Sequence, residues 1–189
     1  MKKRLILASS SPRRQTLFKL IAEDFDVLAP EVDESTTLTD PKEVVEFLAE
    51  KKARAAADAA SAPSIVLGAD TIVVKDGEIL GKPKDAADAA QMLKILSGGV
   101  HDVYTGYCLI DTETGKTLVS HVKTEVDFNA MTDTEIDDYI ATGEPMDKAG
   151  AYGIQGYGAK YIRAIHGDYY CVMGFPVSVI YHDLMNFMQ

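Results

Sequence analysis

Leu5-Ile6-Leu7-Ala8-Ser9-Ser10-Ser11-Pro12-Arg13-Arg14 is the stretch that decides the fold. Leu5 to Leu7 form an apolar run of strand length. Ser11 is a good N-cap, and Pro12 sits where proline is tolerated, at the first helical position. The stretch therefore reads as a short buried strand running straight into a helix. The two residues that follow have the wrong charge for their place. A helix N-terminus carries partial positive charge and favours acids, not arginines. Two readings fit. Arg13 and Arg14 either point into solvent, or join free backbone N–H groups and serine hydroxyls in a cradle for an anion such as phosphate.

Downstream, helix and strand signals alternate. The first helix is expected over about Pro12 to Ile21, with Leu17, Leu20 and Ile21 buried, and a second strand over Phe25 to Leu28. Asp40-Pro41-Lys42-Glu43 opens a long helix with a capping aspartate, an early proline and a glutamate. Val45, Leu48, Ala49, Ala53, Ala56 and Ala57 then share one face to about Ala60. Lys52 falls on that face, so it either snorkels to the edge or points at something negative inside. Asp85 caps a third helix that ends near Leu96, with Gly98 as its stop. Val100–Ile110 and Lys116–Phe128 are long strands. Thr132-Asp133-Thr134-Glu135 is a capping box for a helix to about Ala141. Lys160–Ile165 and Tyr169–Met173 are expected as a last hairpin across His166-Gly167-Asp168, before a closing helix over Pro176 to Phe187. Three later helices begin with acids, which sharpens the oddity of the two arginines in the first.

Three further places carry chemistry. Pro30-Glu31-Val32-Asp33-Glu34 is an acidic loop, either a solvated turn or a source of metal-binding carboxylates. Ile65 to Val74 is the most apolar stretch, and Asp70 stands in its middle. A buried acid is costly without a partner, so Asp70 either bonds local N–H groups in a turn or holds a metal and a water. Gly68 to Asp70 is expected to break this stretch into two strands. Asp76-Gly77 then turns a hairpin whose return strand ends at Gly81-Lys82-Pro83, leaving Lys82 open to a ligand. Asp147 to Gly158 is too glycine-dense for a regular element and lacks the dinucleotide-binding spacing. It is either a long structural turn or a loop that lets Gln155 read a base edge through its donor and acceptor.

The 189 residues suit one domain, 1–189. A net charge of −10 argues against nucleic-acid binding through bulk charge. No run approaches a membrane span, and Lys2-Lys3-Arg4 precedes too short an apolar run for a signal peptide. Cys108 and Cys171 sit in apolar strands and are expected as reduced core residues, consistent with the cytoplasm. Gly115-Lys116-Thr117 is not a P-loop, because Ile110 stands where glycine is required. The four histidines lack metal-ligand spacing.

Together, Arg13, Arg14, Lys52 and Lys82 suit a polyphosphate, Asp33, Glu34 and Asp70 suit a divalent metal and a polarised water, and Gln155 suits a base. The motifs Leu7-Ala8-Ser9-Ser10-Ser11-Pro12-Arg13-Arg14, Glu50-Lys51-Lys52-Ala53, Gly68-Ala69-Asp70-Thr71, Gly81-Lys82-Pro83, Leu96-Ser97-Gly98 and Asp147 to Gly156 occur in order. On these motifs the chain resembles, nearly end to end, the Maf family of nucleoside triphosphate pyrophosphatases, historically linked to inhibition of septum formation. The resemblance implies an inosine-triphosphatase-like (Maf/Ham1) α/β fold. Its sheet is mixed and twisted, with flanking helices and two lobes around a central cleft. It also implies cleavage of a nucleoside triphosphate to monophosphate and pyrophosphate with Mg²⁺ or Mn²⁺. Asp70 would be the proton acceptor, helped by Lys52 and Lys82. Ser9, Arg13, Arg14, Lys52 and Lys82 would hold phosphates, and Glu34 and Asp70 the metal. Arg13, Thr71 and Gln155 match the branch that acts on dTTP and UTP. The branch acting on 7-methyl-GTP carries an aromatic residue, a glutamine and a different loop at these places. The alternative functions are a nucleotide-binding regulator of cell division and septum formation, or the 7-methyl-GTP pyrophosphatase branch of the same family. The nucleotide and a second copy of the chain are the expected partners.

Overall fold

The computed structural model describes residues 3–189. Seven strands form one mixed sheet in the order β2-β1-β3-β5-β6-β7, with β4 paired to β3. They are β1 (Arg4–Ala8), β2 (Asp26–Val27), β3 (Ser64–Lys75), β4 (Glu78–Leu80), β5 (Val100–Asp111), β6 (Thr117–Phe128) and β7 (Ile162–His166). The helices are α1 (Pro12–Phe18), α2 (Pro41–Ala59), α3 (Ala86–Leu96), α4 (Asp133–Ala141), α5 (Tyr169–Val172) and α6 (Val177–Phe187). Short 3₁₀ turns over Glu144–Asp147, Ala149–Ala151 and Gly156–Tyr161 account for most of the glycine-rich segment. Among the described residues no helix is long and apolar enough to cross a membrane.

The chain forms two compact units. The first takes the residues up to Asp70, Thr105–Val122 and Gly174–Gln189; the second takes Thr71–Tyr104 and Lys123–Met173. In the first, β1 pairs in parallel with both β2 and β3. Parallel neighbours need a crossover, supplied by α1 between β1 and β2 and by α2 between β2 and β3. The core beneath α2 joins Ile6, Ala8, Ala49, Ala53, Ala56, Val66, Cys108 and Ile110. In the second, β4 and β7 are antiparallel to β3 and β6. Val73, Leu93, Leu96, Phe128, Ile136, Tyr139, Tyr152 and Tyr161 belong to its core.

The caps expected for α2, α3 and α4 form: Asp40, Asp85 and Thr132 each accept from first-turn N–H groups, and the Thr132–Glu135 box is reciprocal. Cys108 and Cys171 are buried thiols, and burial pushes the Cys108 thiol up to about 12.

Three local expectations are corrected. α1 stops at Phe18, because Leu20 and Ile21 donate to carbonyls three residues back and close a tighter turn. Leu20 is consequently exposed, and the core position goes to Phe18, which packs on Phe25 and Phe175. β3 runs unbroken through Gly68 and Asp70. Ala8 lies opposite Gly68 in the ladder, and the glycine serves close packing rather than a turn. A Cβ on Gly68 would meet the Ala53 backbone nitrogen at 2.7 Å. Tyr169–Val172 is a helical turn, not a strand. Asp168 caps it by accepting from the Tyr170 N–H, and β7 takes β6 as its partner.

Candidate active site

Asp70 follows Gly68 by two residues on β3, so strand alternation puts both on the face covered by α2. Close packing at Gly68 brings α2 down beside that strand, and Lys52 of α2 then reaches the acid. Its Nζ lies 2.5 Å from Asp70 Oδ1 and 3.0 Å from Glu34 Oε1. Asp70 is buried, while the Glu34 side chain, arriving from the acidic loop, is half-exposed. Lys52 therefore points at something negative inside, and what it meets is Asp70. Asp33, next to Glu34, is instead absorbed in its own turn. Its carboxylate accepts from the Ser35 hydroxyl and N–H, which hold it below its ordinary value.

The end of β1 brings the opening motif to this place, since β1 is the parallel neighbour of β3. Ligands of open α/β sheets bind outside the carboxyl ends of such strands. Ser9 is buried, and its hydroxyl accepts from the Ser11 N–H at 3.3 Å. Ser11 caps α1 at the Arg14 N–H, and α1 has no acid in its first turn. Arg14 is not splayed into solvent: its Nε donates to the Gly174 carbonyl at 2.8 Å. Burial lowers its guanidinium below the ordinary value; Asp70 opposes that shift, Arg13 adds to it, and Glu34 opposes it. One electrostatic neighbourhood thus holds Arg13, Arg14, Glu34 and Asp70, with Lys52 bonded to both acids.

The remaining expected residues belong to the second unit. Thr71 is next along β3 after Asp70, on the opposite face by alternation. Lys82 follows β4 and is exposed. The carbonyl of its neighbour Gly81 accepts from the Gly150 N–H at 3.0 Å, which ties the Lys82 turn to the glycine-rich segment. Gln155 is exposed at the start of the last 3₁₀ turn. Glu144 was not visible as special in the sequence, yet it organises this segment. Its carboxylate accepts from the Tyr139 hydroxyl at 2.8 Å and from the Tyr157 and Gly158 N–H groups at 2.8 and 3.0 Å. Partners that are backbone N–H groups more than ten residues away leave no spacing signal. The only hint was an acid beside Pro145 ahead of a glycine-dense run.

This fold is of the Ham1 type. The structure of the Staphylococcus aureus Ham1 protein matches with a TM-score of 0.53 at 19% identity, over 85% of this chain and 80% of that one. A HAM1 protein from Coxiella burnetii matches with a TM-score of 0.56 at 13% identity, over 99% and 98%. The chain belongs to the Maf family: the family model described as "Maf-like protein" matches residues 4–187. It is 50% identical over 186 residues to a protein of Bacillus cytotoxicus named dTTP/UTP pyrophosphatase, covering 98% of this chain and 96% of that one. Proteins of the same name from Alkaliphilus metalliredigens and Clostridium novyi are 51% and 47% identical. The matches cover 92% and 94% of this chain, and 91% and 94% of those proteins.

Proposed function

We propose that this chain is a nucleoside triphosphate pyrophosphatase that cleaves dTTP, UTP and modified pyrimidine nucleotides to the monophosphate and pyrophosphate. The observation that carries the reading is the Lys52 ammonium bonded to both Asp70 and Glu34 beside Arg14. Relatives about half identical and named dTTP/UTP pyrophosphatase support it. Asp70 accepts a proton as the water oxygen bonds to the α-phosphorus. The bond from that phosphorus to the bridging oxygen breaks, and pyrophosphate leaves with the electron pair. Ser9, Arg13, Arg14, Lys52 and Lys82 hold the triphosphate and offset the charge that grows on it. Arg13, Thr71 and Gln155 select the pyrimidine nucleotide.

Two carboxylates that already share one cation are a donor set suited to Mg²⁺ or Mn²⁺, ions held by one or two carboxylates together with substrate phosphates. Glu34 and Asp70 would hold the ion, which supplies Lewis acidity and acidifies bound water. Lys52 would then give up its acids and turn to phosphate. The whole chain, 1–189, works as one catalytic domain, as a homodimer in the cytoplasm. The buried thiols of Cys108 and Cys171 suit a reducing compartment.

The test is pyrophosphate release from a panel of nucleotides with and without Mn²⁺. Release from dTTP and UTP, suppressed by chelator, is expected. Folded protein that turns over neither refutes the reading.

A further inference from the structure

Glu144 closes the loop that presents Gln155 from both sides. After Gln155, the Tyr157 N–H donates to Glu144 Oε2 and the Gly158 N–H to Oε1. Before it, the Gly153 N–H donates to the Tyr139 hydroxyl at 3.1 Å, and that hydroxyl donates to Glu144 Oε1. Burial pushes the Tyr139 hydroxyl well above its ordinary range, so it keeps the proton that this relay needs. Burial alone would raise Glu144. The Tyr157 N–H, the Tyr139 hydroxyl and the Gly158 N–H, with Lys148 nearby, hold it below its ordinary value instead. Gly156 has φ +75° and lies against this carboxylate, where a Cβ would collide with Oε2. The Lys148 ammonium bonds the Glu144 carbonyl at 2.6 Å and the Asp147 carboxylate at 2.7 Å, which ties the backbone of Glu144 itself.

We propose that Glu144 is a positioning residue for base selection: its carboxylate, with the Tyr139 hydroxyl, fixes the backbone at 153 and 157–158 so that Gln155 meets the pyrimidine edge in one orientation. This rests on the reading of Gln155 as the base-reading residue. A side chain held by its own loop loses less freedom on binding, and the gain goes to discrimination between bases.

Glu144→Gln keeps the shape but removes one of the two accepting oxygens. Tyr139→Phe cuts only the Gly153 side. Steady-state kinetics on UTP and GTP, with amide hydrogen exchange over 153–158, reads both. In each variant the ratio of kcat/KM for UTP over GTP should fall by about tenfold, mainly through KM. Exchange at Gly153 should speed up in Tyr139→Phe, and exchange at whichever of Tyr157 and Gly158 then faces the amide NH₂ should speed up in Glu144→Gln. With Gln155→Ala already present, Glu144→Gln should cost no further selectivity, which a merely structural role would not predict. Faster exchange with unchanged selectivity, or additive losses in the double variant, overturns the proposal. Wild-type protein that releases no pyrophosphate overturns the functional reading instead.

Discussion

Asp70 and Lys52 were each misfits in the sequence, an acid in the most apolar stretch and a lysine on a buried helical face. The structure makes each the explanation of the other. Neither could be matched from sequence alone, because a separation of 18 positions and a helix-on-sheet contact lie between them. Arg14 was legible for the same reason, as charge of the wrong sign at a helix start. If Asp70 is the proton acceptor, Asp70→Asn removes the reaction's base while leaving Lys52, Arg13 and Arg14 to grip phosphate. Turnover of dTTP should fall by about 10²- to 10⁴-fold. Calorimetric binding of dTTP without divalent metal, which Asp70 would help to hold, should be no weaker than wild type, since a negative charge beside the phosphate cations is gone. A kcat within tenfold of wild type would remove Asp70 from that role.

At the scale of elements, the position of α2 decides whether Lys52 reaches Asp70, and two glycines set that position. A Cβ on Gly68 would meet the Ala53 nitrogen at 2.7 Å and the Ala53 Cβ at 2.9 Å; one on Gly106 would meet the Glu46 nitrogen at 2.9 Å. Backbone cannot yield as a side-chain tip can, so Gly68→Ala and Gly106→Ala should each lose about 1–3 kcal/mol in urea denaturation. Ala53 is the residue after Lys52, so Gly68→Ala should also lower kcat at least about fivefold, well beyond the effect of Gly106→Ala. Equal activity in the two variants would break the link between helix seating and the Lys52–Asp70 pair. The same glycine shows where sequence reading stops. Caps, the Asp76-Gly77 hairpin and the α2 stripe were legible because local chemistry decides them. Gly68 signals equally a break or a close approach, and only the partner element distinguishes the two. Tyr169–Met173 failed similarly: its aromatic residues suit a strand, but the Asp168 carboxylate, accepting from the Tyr170 N–H, caps the segment as a helical turn. Glu144 was illegible because, beside the Tyr139 hydroxyl, its carboxylate's partners are backbone groups of a loop whose path no periodicity encodes.

Each unit of the whole molecule has its own core, and acid should act on the two differently. His101, 3% exposed, lies in the second unit against Phe128 and Tyr152, with Nε2 bonded to the Tyr152 hydroxyl at 2.7 Å. Its Nδ1 is buried without a hydrogen-bond partner among the described residues. Burial, reinforced by Lys75 and opposed by Asp102 and Asp127, lowers its pKa from 6.5 to about 4. Between those values the unfolded chain binds a proton that the folded unit refuses, so stability falls as pH falls. From pH 7 to pH 5 the loss is about 2 kcal/mol. In the first unit Asp111, held by Lys3 at about 2, acts only at lower pH: its contribution is present above 3.8 and lost as pH falls toward 2. Native-state hydrogen exchange, corrected for intrinsic rates, should therefore lose about 2 kcal/mol of protection in α4 and β7 between pH 7 and 5. Protection in α2 should change much less. His101→Gln should flatten the acid dependence of the second unit at some cost in stability at pH 7, because glutamine can still bond Tyr152 but does not titrate. Equal acid loss in both units, or an unchanged slope in His101→Gln, would mean that His101 is not the group that couples this core to pH.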